Sequence, residues 1–169
     1  MVCNMRWIWI DSFVEFESGR KAAAVKNLTI AEEYFADHFP GFPVMPASLM
    51  IEGMAQTAGI LVGEARGFQE NVILAKIRTA EFTDFAAPGD QLRFEAAIET
   101  LDERAAATSG KVFKNDREIG RVDLMFSHVN QAEKPPELPE HNFVFTDQFM
   151  GLLAGFTRRG QTQGGTADG

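Results

Sequence analysis

Cysteine is almost absent: Cys3 is the single one in 169 residues. An internal disulfide framework and a Cys-x-x-Cys metal or redox motif are therefore excluded, and a reducing, cytoplasmic setting is expected. Positive charge is also scarce, with 16 Lys and Arg against 24 Asp and Glu and a formal net charge of -8. Nucleic-acid binding needs a basic face to neutralise phosphates, and the adjacent basic pairs are limited to Arg20-Lys21 and Arg158-Arg159. Long apolar runs are missing too. None reaches the ~18 uncharged residues of a membrane span, because Glu52 and Glu64 interrupt the best candidate. Met1 to Arg6 lacks a basic region followed by a long apolar stretch, so no secretory signal is expected. The length fits one domain, able to bury roughly 70% of the surface of its unfolded chain without a metal or disulfide staple.

What is present reads as an α+β pattern. Trp7 to Phe16 and Lys21 to Leu28 resemble two strands joined at Glu17-Ser18-Gly19-Arg20. Thr29 and Glu32 have capping-box spacing ahead of Tyr34 and Phe35, which predicts a short helix or turn beginning there. Pro40, Gly41, Pro43 and Pro46 then impose an ordered loop over 38–46. From Pro46 to Arg66 the chain is apolar nearly all round, as expected of a helix enclosed by protein. Four strands follow: Val72 to Phe82, Gln91 to Leu101, Ala105 to Lys114 and Glu118 to Val129. Leu92, Phe94, Ala96 and Ile98 alternate with polar residues, the mark of a half-buried antiparallel strand. An antiparallel sheet around one central helix satisfies this order.

Residues 130–142 form a Pro-rich linker between a domain over 1–129 and a helix-like segment over 143–157, and the polar residues 158–169 are expected to be a disordered tail. In the helical segment Phe145, Phe149, Leu152, Leu153 and Phe156 recur behind Thr146 or Asp147 as a cap. It either packs on the domain or a neighbouring subunit, or forms a lid over an apolar tunnel.

Two residues stand out chemically. His38 opens the Pro/Gly loop, and Glu52 lies one and a half turns into the apolar helix, with Gln56 four residues on and on the same face. A carboxylate in that setting must be paired, protonated or catalytic. Together with His38 it offers a proton donor and a base, while the helix start at Pro46-Ala47-Ser48 offers free amides to a carbonyl developing negative charge. The three His are scattered without metal-ligand spacing to any carboxylate, so no metal site is expected. Ser48 lacks a nucleophile-elbow context and is better read as part of the helix start.

The stretch His38-Phe39-Pro40-Gly41-Phe42-Pro43-Val44-Met45-Pro46, followed by Glu52-Gly53-Met54-Ala55-Gln56, resembles the signature of the hotdog-fold 3-hydroxyacyl-acyl-carrier-protein dehydratases. Weaker likeness extends over most of 6–129. The resemblance implies a curved antiparallel sheet around a central helix, and a homodimer, possible as a trimer of dimers, whose sites take His from one chain and Glu from the other. It implies His38 as the base for the α proton and Glu52 as the acid for the departing 3-hydroxyl. The Ala47 amide would polarise the thioester carbonyl, the Val44 carbonyl would orient His38, and Gln56 would hold Glu52 or the water. The implied partner is an acyl carrier protein, and no metal or organic cofactor is implied. The Phe excess, 15 residues, would line the helix pocket and an acyl tunnel.

Three departures from the family pattern bear on this. Ala47 replaces the usual Gly. The family's Pro-His-Arg-type N-terminal segment has no counterpart. Acidic residues occupy Glu81 to Asp84 where relatives are basic, which moves carrier docking to Lys76 and Arg78. Two other readings fit the same residues: a hotdog acyl-thioester hydrolase, and a catalytically silent module that binds an acyl chain or carrier protein.

Overall fold

The structure is a computed structural model and describes residues 7–129, 139 and 142–158. Cys3, His141, most of the Pro-rich linker and the tail past Arg158 lie outside the described residues.

β1 (Ser12–Glu17) and β2 (Lys21–Asn27) form a hairpin whose turn places Gly19 at φ +68. The short helix α1 (Tyr34–Asp37) and the long helix α2 (Ala47–Ala65) precede β3 (Asn71–Phe82), β4 (Gln91–Leu101), β5 (Ala105–Lys114) and β6 (Arg117–Val129). Helix α3 (Asp147–Arg158) follows. The β5–β6 turn holds Asn115 and Asp116 at φ 47 and 67, a pair of left-handed residues that suits the right-handed twist of a hairpin. All strand pairs are antiparallel, in the order β1-β2-β4-β5-β6-β3.

Helix α2 packs against β2, β3, β4, β5 and β6, so the sheet surrounds it as the α+β reading requires. Close approach is possible because Gly53 has no side chain: a Cβ there would lie 2.5 Å from the ring of Phe94, which is fully buried on β4. Met54, Leu61 and Val62 complete that contact and are almost wholly excluded from solvent. None of the described helices is long and apolar enough to cross a membrane.

Two local expectations are corrected and one is narrowed. The first strand starts at Ser12 rather than Trp7, because the backbone around Trp7 and Trp9 bonds to the Gln56 side chain instead of a neighbouring strand. Of the two options, a turn begins at Thr29. Its hydroxyl accepts the Ala31 N–H at 3.3 Å in a local turn, and Glu32 pairs with Lys26 at 2.9 Å rather than closing a capping box. Finally, α2 is not enclosed all round. Ser48 is exposed, and the face carrying Glu52, Gln56 and Gly59 is half-buried, because it opens on a cavity.

One buried group makes this fold sensitive to mild acid. His128, near the end of β6, has a side chain sealed from solvent, and neither ring nitrogen finds a hydrogen-bond partner among the described residues. Burial lowers its pKa, assisted by Arg66 and opposed by the Glu70 carboxylate 3.7 Å from Nδ1, by Asp102 and by the nearby backbone of Glu103. The unfolded chain therefore takes up a proton at higher pH than the folded one. Stability is complete above the unfolded value near 6.5 and declines as pH falls below it toward the lowered folded value. Melting curves between neutral and mildly acidic pH are expected to show Tm falling with pH, and His128→Leu to flatten that decline.

Candidate active site

His38 follows α1 directly, and the Pro/Gly loop folds back beneath it. Phe39 and Phe42 exchange backbone hydrogen bonds at 3.1 and 2.9 Å, Val44 N–H donates to the His38 carbonyl at 3.1 Å, and Gly41 takes φ +80. The left-handed residue is what the tight turn needs, and glycine supplies it without strain. His38 Nδ1 lies 3.0 Å from the Val44 carbonyl, and its ring stacks on Phe39. A carbonyl only accepts, so Nδ1 carries a proton, and in the neutral ring Nε2 holds the lone pair.

His38, Phe42, Val44, Ala47, Met50 and Phe85 line a cavity of about 440 Å³. Ala47 is the first residue of α2, with Pro46 as its N-cap rather than its first helical residue. The Ala47 amide therefore has no intrahelical partner and sits at the positive end of the helix dipole.

Glu52 and Gln56 meet one turn into α2. Gln56 Nε2 donates to Glu52 Oε1 and to the Trp7 carbonyl, both at 3.0 Å, and Gln56 Oε1 accepts the Trp9 N–H at 2.8 Å. Both ends of the amide are thus used, which fixes its orientation and aims one N–H at the carboxylate. Glu52 lines a second cavity of about 330 Å³, with Gly59, Phe126, Phe145 and Phe149 among its walls. Within one chain, then, His38, Val44 and Ala47 gather in one cavity, and Glu52 and Gln56 in another.

Lys76 and Arg78 are exposed on β3, apart from both cavities, and Arg78 donates to Glu99 at 3.3 Å. The acidic stretch ahead of β4 is less negative than it reads. Asp84 lines the His38 cavity, and its carboxylate is held at a pKa of about 2 by hydrogen bonds from Lys114 Nζ at 2.6 Å, from Phe85 N–H and from Arg117. Sequence reading missed those two cations, which lie about thirty residues away, as well as the backbone of Trp7 and Trp9 that anchors Gln56. It also missed Asn71 and Asn142, described below. Among the described residues no group of three or more His, Cys, Asp or Glu gathers as a metal site.

Residues 5–123 match the FabA-like domain family. The chain belongs to that family. Its similarity to individual members is of the same kind. It is 35% identical over 136 residues to the 3-hydroxyacyl-[acyl-carrier-protein] dehydratase FabZ of Solibacter usitatus, covering 79% of this chain and 83% of that protein. Against the FabZ dehydratase of Koribacter versatilis it is 37% identical over 128 residues, covering 75% and 82%. Among solved structures, a dehydratase heterocomplex from Xenorhabdus doucetiae superposes with a TM-score of 0.65 at 15% identity, covering 77% of this chain and 88% of that one. That likeness concerns the fold, and with the sheet order and central helix it establishes the hotdog architecture. FabA-like membership, by contrast, rests on sequence over most of the chain.

Proposed function

We propose that this FabA-like chain converts 3-hydroxyacyl thioesters of acyl carrier protein into trans-2-enoyl thioesters and water, a hydro-lyase step of fatty acid or related acyl-chain biosynthesis in the cytoplasm. The reading rests on one observation above all: a FabA-like chain carries a histidine with a free Nε2 and a glutamate held by Gln56, in cavities that one chain keeps apart.

The chemistry follows from those groups. The α C–H of a thioester is a weak acid, so its removal needs a base and a place for the enolate charge. His38 Nε2 takes the α proton while the Ala47 amide, at the start of α2, donates to the thioester oxygen. The electron pair of the broken C–H bond becomes the new C=C bond, and the C3–O bond breaks. Glu52 in its acid form protonates the departing hydroxyl, so that water and not hydroxide leaves. Gln56 steadies that carboxyl through the transfer. Solvent returns the proton from His38 to Glu52.

Two features support a homodimer with shared sites. His38 and Glu52 open into separate cavities in one chain. Strand β3 ends the sheet, pairs only with β6 among the described residues, and exposes Leu74 and Ile77. Pairing β3 with its copy joins two sheets and brings His38 of one chain toward Glu52 of its partner. Lys76 and Arg78 on the same strand are the cations we assign to carrier docking. With a net charge of -8 the chain repels an acidic carrier at long range, so recognition is local.

Mixing the protein with a 3-hydroxyacyl carrier protein and following enoyl absorbance tests the reading. Enoyl product without free thiol is expected. Thiol release would mark a hydrolase instead, and saturable binding with neither product would mark a silent module.

A further inference from the structure

The cavity beside Glu52 has one charged lining residue among those described, Glu52 itself, and otherwise apolar walls with Gln56 near the carboxylate. Its floor is a stripe of α2: Ala55, Gly59 and Ile60 follow Glu52 at helical spacing. Its far wall comes from Val144, Phe145 and Phe149, which lie beyond the residues that match the FabA-like family.

That wall is built into the domain. Asn142 Nδ2 donates to the carbonyls of Phe68 and Glu70 at 3.2 Å, and its Oδ1 accepts from Val144 and Phe145 N–H at 3.0 and 2.8 Å. Asn71, buried at the start of β3, accepts from Phe143 and Val144 N–H at 2.9 and 3.2 Å. The Phe145 ring then rests on α2 at Gly63, where a Cβ would lie 2.4 Å from its Cζ. Phe149 continues the wall, and its N–H donates to the Thr146 hydroxyl at 3.3 Å. Eleven residues separate Glu52 from Gly63, about 16 Å along the helix.

We propose that residues 142–149 are a chain-length stop: Phe145 and Phe149 close the far end of the acyl cavity and set the longest acyl group the enzyme accepts. The inference rests on the dehydratase reading, since Glu52 fixes where C3 of the substrate sits. With C3 at Glu52, the acyl tail runs down the Ala55–Gly59–Ile60 stripe and ends against the Phe145 ring.

Steady-state rates with 3-hydroxyacyl carrier proteins from butyryl to palmitoyl length provide the test. An unmodified protein that dehydrates none of them overturns the dehydratase reading and leaves the stop without a substrate. If the unmodified protein is active, two variants decide the stop. Gly63→Ala puts a methyl where the Phe145 ring lies, displaces the stop, and is expected to raise the long-to-short ratio of kcat/KM by about tenfold or more, the scale of methylene discrimination in apolar pockets. Gly59→Ala acts in the opposite sense. Its Cβ finds only the Phe126 ring, at 3.5 Å, so the added methyl fits and narrows the stripe. Alanine is also the better helix former, so this variant is expected to fold, and the longest accepted chains should lose rate relative to the shortest. A Gly63→Ala protein that melts lower with an unchanged chain-length profile would reduce the segment to a packing element. An unchanged profile in Gly59→Ala would likewise remove the acyl chain from this cavity.

Discussion

Glu52→Gln is expected to lower kcat for dehydration by about a hundredfold to ten-thousandfold, the usual weight of one general acid, while the melting temperature stays near that of the parent. The amide keeps the shape of the carboxyl and can still meet Gln56, but it has no acidic proton for the leaving hydroxyl. His38→Ala is expected to fall as far, because the other ionisable group described in its cavity, Asp84, is tied to Lys114 and Arg117 and, at a pKa of about 2, is too weak a base to replace it. More telling is the mixture. If each site combines His38 of one chain with Glu52 of the other, a mixed dimer of the two inactive variants holds one site with both residues intact and one with neither. Random co-assembly makes about half of the dimers mixed, so about a quarter of parental activity should return. Enoyl absorbance on co-expressed variants measures it. Activity no greater than the sum of the two variants would place His38 and Glu52 of each functional site in the same chain.

Phe94→Ala should be the most destabilising single truncation, at about 3–5 kcal/mol. Its ring is fully buried, faces the centre of α2, and occupies the space that Gly53 leaves open. Removing it leaves a hole between helix and sheet. Urea unfolding measures the loss. The glycine opposite supplies an internal control: Gly53→Ala pushes a methyl into the ring and should destabilise alone, yet cost less when the ring is already gone. A double-mutant cycle reads that coupling directly; strictly additive losses would mean that the helix adjusts its distance from the sheet independently of this contact.

These two predictions differ in how far the sequence foretold them. His38 to Val44 and Glu52 to Gln56 are short-range relations, six and four residues apart, so turn and helix geometry brought them within reach of inspection. Alternation on β4 was equally legible, since Leu92, Phe94 and Ala96 are buried as their period of two requires. Relations across the fold were not. Gln56 bonds to Trp7 and Trp9, Asp84 to Lys114 and Arg117, and Phe145 rests on Gly63, and no local pattern encodes such pairs. The glycines at 53 and 63 were in plain view within a helix where glycine is unfavourable, but their reason became apparent only with the rings above them. Capping-box spacing at Thr29 marked a turn and not a capped helix, because Lys26, on the neighbouring strand, claims the Glu32 carboxylate.

Strand β3 carries one more consequence. A twelve-residue edge with exposed Leu74 and Ile77 is a template for any extended chain, and while it stays unpaired it is open to indiscriminate β-addition. Lys76 and Arg78 interrupt that apolar row with charge on either side of Ile77. Charges so placed act as gatekeepers of solubility, discouraging amyloid-like growth during synthesis.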